Sequence, residues 1–114
     1  MERSTITLDV HLDENKVPEQ IYWNSSNAGE SSKARAFILS LWDASDKTAL
    51  RIDIWTKEMM VDEMTDFFYQ TIITMADTYE RATHDAELVE DMKNFAKVFY
   101  QKFRAKQMKE NKLS

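Results

Sequence analysis

Five carboxylates crowd one short stretch of this chain. Asp53, Glu58, Asp62, Glu63 and Asp66 all lie within LRIDIWTKEMMVDEMTDFFYQT, residues 50–71. Acidic side chains this close could hold a hard divalent cation through oxygen or supply an acid and a base. Asp62 and Asp66 stand four apart, on one face of any helix, and with Asp53 or Glu58 they could in principle ligate Mg²⁺ or Ca²⁺. No calcium-loop spacing accompanies them, however, and carboxylates at a helix start have a plainer use. The free N–H groups there carry partial positive charge, which favours a nearby carboxylate by roughly 0.3–1 kcal/mol.

Other chemistries lack their residues. A structural zinc site wants four Cys or His ligands, and this chain has no cysteine and two histidines, His11 and His84. His11 alternates with Asp9 and Asp13, and His84 falls between two helical patterns, so both read as solvent-facing. One glycine, Gly29, rules out a phosphate-cradling loop of the dinucleotide or P-loop kind. The serines cluster in a polar loop, and none sits in a nucleophile elbow. No catalytic residue, cofactor or metal is therefore expected, and no enzyme.

The elements that position these side chains follow from hydrophobic rhythm. Ile6, Leu8, Val10 and Leu12 alternate with Thr5, Thr7, Asp9 and His11, which predicts a strand with one dry face. The single proline, Pro18, then Ile21, Tyr22 and Trp23, lead into the polar run NSSNAGESS, residues 24–32, expected to be a loop crossing the sheet edge or a mobile segment. Residues 34–42, ARAFILSLW, are apolar on both sides and predict a central strand. The turn DASDKT and the strand ALRIDIW complete a hairpin. Past Trp55 the period lengthens: Met64, Phe67, Phe68, Ile72, Met75 and Tyr79 recur at helical spacing. Thr83 or Asp85 can cap a second helix, whose stripe is Leu88, Met92, Phe95, Phe99 and Phe103, flanked by Ala96. The expected fold is α+β: an antiparallel sheet of three or four strands with two C-terminal antiparallel helices packed on one face. Residues 1–104 form the single domain, and residues 105–114 a frayed basic tail.

Composition bounds the partners. With 114 residues, six Phe, four Tyr and three Trp, the chain suits one folded domain with one core. Residues 1–92 carry 8 Lys/Arg against 19 Asp/Glu, and residues 93–114 carry 7 against 1. An acidic body repels phosphate backbones, which argues against nucleic acid as a partner, and the basic end suits a helix C-terminus. No apolar run has signal-peptide or membrane-spanning length, so no direct membrane insertion is expected. Without a leader or cysteines the default location is cytoplasmic.

Two tryptophans stand out. If helices cover the Leu39 and Ile52 side of the hairpin, then Ile38, Trp42 and Trp55 emerge opposite, among Arg51, Asp53, Asp9 and His11. Large indoles on a wet face need cover. Either Ile21, Tyr22 and Trp23 fold back over them, or the face binds a second protein, for which aromatic anchors are preferred. In the second case Ile38, Trp42, Trp55 and Trp23 are the partner-binding residues, and a homo-oligomer or a stable complex follows.

The blocks LDENKVPEQIYW, LSLWD, LRIDIWTKEMMVDEMTDFFYQT and MADTYERAT, in this order, resemble the small GldC gliding-motility proteins of Bacteroidetes. The resemblance runs from about residue 5 to residue 103. It implies a non-enzymatic accessory component of the surface gliding machinery, associated in that phylum with type IX secretion, and it supplies no catalytic residues. Two mechanisms are open. The chain could be an interaction subunit acting through the Trp42 and Trp55 face. Alternatively, its element order is similar, one strand short, to the cytoplasmic export chaperone SecB, a holdase that binds unfolded clients on apolar grooves.

Overall fold

Two aspartates turn the first half of the chain. The computed structural model describes residues 2–27 and 29–113, with side chains through residue 110. Ala28, inside the expected 24–32 loop, and Ser114, at the end of the expected tail, lie outside the described residues. Strand β1 (Ile6–Leu12) pairs antiparallel with β2 (Pro18–Ser25). Between them the Asp13 carboxylate accepts the backbone N–H of Asn15 (2.8 Å) and of Val17 (3.0 Å). Lys16 closes the turn in the left-handed region, φ 63°. The same device recurs between β4 (Ala36–Asp43) and β5 (Thr48–Trp55): the Asp43 carboxylate accepts the Ser45 N–H at 2.9 Å, and Lys47 takes φ 52°. An aspartate that mimics a backbone turn lets each hairpin reverse tightly without glycine.

The expected α+β class stands, but strand number and connection differ from expectation. Five strands form two antiparallel sheets among the described residues, β1-β2-β3 and β4-β5, with β3 spanning Ser32–Ala34. Residues 18–25, read as the approach to a loop, are a full strand, and the polar run turns back into β3 rather than crossing a sheet edge. Gly29, at φ 80°, lies in that connection. Pro18 is tolerated because it opens β2 at a register shift, where no ladder donor is needed. A bend at Arg35 separates β3 from β4, and the Thr56 N–H donates to the Arg35 carbonyl at 2.8 Å. Ile21 and Thr56 are buried within this β unit.

Contacts divide the chain into two compact units, Met1–Met59 and Met60–Ser114. The second is an αα-hairpin of α1 (Val61–Thr83) and α2 (Ala86–Leu113). Glu63 reaches back to accept the Met60 N–H at 3.4 Å, and Asp62 accepts the Glu63 N–H at 2.9 Å, so both acids serve the helix start. His84 ends α1 in the left-handed region, φ 57°, its N–H on the Glu80 carbonyl at 2.8 Å. Of the two cap candidates the second helix uses Asp85, whose carboxylate accepts the Leu88 N–H at 3.2 Å. Helix pairing is antiparallel: Lys93 bridges Asp77 at 3.0 Å near the turn, and the Tyr69 and Tyr100 rings meet at 4.9 Å farther along.

The seam between these helices is shifted from the expected stripe. It runs through the fully buried Ala76 and Ala96, with Val89 and Thr65 also buried, while Phe95 is 62 % exposed. Small residues let two backbones approach closely, and the large rings beside them are displaced to the flanks. Regular helix also continues past Phe103, where fraying is expected. Tyr100, Phe103, Gln107 and Met108 line a cleft with Asp62 and Asp66, so the later part of α2 is supported by the first turns of α1.

Candidate interaction surface

Strand register fixes which side chains share a face of the β4–β5 hairpin. Phe37, Leu39 and Leu41 stand opposite Ile54, Ile52 and Leu50, giving one face with six apolar residues. Ala36, Ile38, Ser40 and Trp42 stand opposite Trp55, Asp53, Arg51 and Ala49 on the other. Ile38, Trp42 and Trp55 therefore do share a face. Trp42 is 69 % exposed and Trp55 55 %, while Ile38 is half-buried. Yet the indoles do not form a couple within one chain: they sit at opposite ends of the hairpin, about 20 Å apart at the strand rise per residue. An Arg51–Asp53 ion pair (Nε–Oδ2 3.2 Å) lies between them. Trp55 also lines a shallow cleft with Val17, Pro18 and Lys57.

Trp23 lies elsewhere. It sits on β2, paired with Leu8 and Ser32, on the same side as Ile21 and in a different sheet from the other two indoles. Tyr22 points the opposite way, its ring 5.1 Å from His11 and under the Lys33 ammonium at 5.6 Å. The Ile21–Tyr22–Trp23 run thus splits between two faces, as strand alternation requires, and cannot fold as one cover over Trp42 and Trp55.

Sequence reasoning assigned the Leu39 and Ile52 face to the buried side. In the structure Leu41, Leu50 and Ile52 are each more than half exposed and Leu39 is 37 % exposed. The signal was present in the two-sided apolar pattern of residues 36–42, but periodicity reports which residues share a face and not what covers it.

The opening carboxylates have separate partners. Asp53 pairs with Arg51, and Glu58 approaches Arg35 at 3.9 Å. Asp62 and Glu63 serve the α1 start, and Asp66 borders the cleft that holds Arg104. Among the described residues no group of three or more His, Asp or Glu side chains could hold a metal ion. The most perturbed acid is Asp13, which lies outside the acidic stretch. The Lys57 ammonium, 2.7 Å away, and then the Val17 N–H hold its carboxyl down at about 2, while Lys57 is itself raised by Asp13. This pair fastens the chain beyond β5 to the β1–β2 turn. Among the described residues no helix is long and apolar enough to cross a membrane.

A family model described as gliding motility-associated protein GldC-like matches residues 18–105. The chain belongs to the GldC-like family. No curated protein and no solved structure matches it. The matched span of this GldC-like chain runs from the first residue of β2 into α2 and contains Trp23, Ile38, Trp42 and Trp55. Association with gliding motility is what the family carries to it.

Proposed function

We propose that this GldC-like chain is a non-enzymatic accessory component of the gliding machinery that works by binding another protein through the indole-bearing face of the β4–β5 hairpin. The observation that carries this reading is the exposure of Trp42 and Trp55 on one face, since buried indoles are the strongest recurrent anchors of protein interfaces. Ile38 lies on the same face, and Trp23 offers a further anchor on the first sheet. The reading places the protein in the cytoplasm, beside machinery that serves type IX secretion, with protein partners and neither nucleic acid nor lipid as ligand. Affinity capture from the native cell, comparing wild type with Trp42→Ala plus Trp55→Ala, tests it. Loss of the co-purifying proteins is expected, with the circular dichroism spectrum retained. Unchanged partners on a folded double variant would refute it.

A holdase of the SecB kind is the second reading. It is favoured by apolar side chains exposed on both faces of one hairpin, which suit unfolded clients better than one shaped partner. Light scattering of an unrelated unfolding protein separates the two, because a holdase suppresses aggregation and a dedicated subunit does not.

A further inference from the structure

Among the described residues β5 pairs with β4 alone, so its outer edge presents N–H and C=O groups with no neighbouring strand. Exposed edges are ordinarily guarded by charged side chains, proline or a bulge, because an open edge is a template for another strand. The β5 sequence TALRIDIW contains no proline or lysine, and its two charges are of opposite sign. Its only charges, Arg51 and Asp53, flank Ile52.

That arrangement is self-complementary. Antiparallel pairing of two copies of β5 about a two-fold axis at Ile52 sets Arg51 opposite Asp53 twice over. It also sets Leu50 opposite Ile54 and Ala49 opposite Trp55, so that every charge meets its opposite and every apolar residue another. Neighbouring registers fail. An axis at Arg51 or at Asp53 opposes like charges, and an axis between residues turns one copy's apolar face toward the other's polar face. We propose that the chain forms a homodimer joined edge to edge through β5, with Ile52 on the two-fold axis.

The pairing also joins the exposed faces of the two copies side by side. It merges Leu39, Leu41, Leu50 and Ile52 of both copies into one continuous apolar surface. On the other face it sets Trp42, Ala49 and Trp55 of the second copy in a row across three adjacent strands. Ala49, with its single methyl, leaves the space between the two indoles open. Residues about 20 Å apart in one chain come to about 10 Å across the axis, two inter-strand spacings. Indoles that form no couple in the single chain form two such couples in the dimer.

The inference goes beyond the proposed function and is tested on purified full-length protein, so its failure leaves the affinity-capture result untouched. Sedimentation equilibrium should give a dimer. Arg51→Asp alone, or Asp53→Arg alone, opposes like charges at both symmetric positions and should raise the dissociation constant at least tenfold. The double variant, with the charges exchanged, should return it to near the wild-type value. Because the chain has no cysteine, Ile52→Cys can form a disulfide only between copies. Opposed residues in an antiparallel pair, with Cα atoms about 4.5–5.5 Å apart, lie within disulfide reach. Ile52→Cys should therefore cross-link on mild oxidation, and Thr48→Cys, far from its counterpart, should not. A strict monomer would overturn the proposal. So would a dimer indifferent to both single reversals that fails to cross-link at residue 52.

Discussion

Asp13 shows how much one carboxylate can organise. It accepts two backbone N–H groups in its own turn and binds an ammonium 44 residues away. Its pKa in the folded chain, about 2, lies below the unfolded value near 3.8, so its contribution to stability is present above pH 4 and is lost as pH falls toward 2. Lys57 is raised above 10.5, so its contribution holds below that pH and disappears as pH rises through the elevated value. Thermal melts between pH 5 and pH 2 should show a falling midpoint in wild type and a flatter one in Asp13→Asn. Equal slopes would remove the clamp from the account. The turn was not read from the sequence, although DENK is a short polar break after an alternating strand. Neither was the ion pair, because nothing local links residue 13 to residue 57.

At the scale of elements, the small residues of the helix seam carry the clearest expectation. Ala96→Leu forces a larger side chain into full burial and should cost about 1–3 kcal/mol in urea unfolding. Phe95→Ala, one residue away, should cost under about 0.5 kcal/mol, the usual range for a surface site. Reversal of that order would mean the seam runs along the ring. Helical spacing alone could not decide between them, because stripes centred on Phe95 and Ala96 satisfy the same three-and-four pattern. The change of period after Trp55 located the start of α1, strict alternation located β1, and a run apolar on both sides followed by the DASDKT turn and ALRIDIW located the hairpin. Strand β2 escaped because its ends are polar and its apolar centre is only Ile21–Tyr22–Trp23. What makes it a strand is pairing with β1 and β3 on either side.

For the molecule as a whole, membership of a gliding motility-associated family sets the cellular setting, and the proposed function assigns the hairpin indoles the task of engaging a partner there. If β5 joins two copies, stability depends on protein concentration, since association favours the folded form by mass action. The thermal midpoint should therefore rise with concentration in wild type and stay flat in Arg51→Asp; a flat wild-type response would speak for a single chain. Three reversals of the backbone, at Lys16, Lys47 and His84, hold side-chain-bearing residues in a conformation that costs them more than it would glycine. Glycine at each should raise stability by up to about 1 kcal/mol, read as a higher melting temperature. A triple-glycine background would then be a hardened chassis, with stability in reserve for replacements at the indoles more disruptive than alanine.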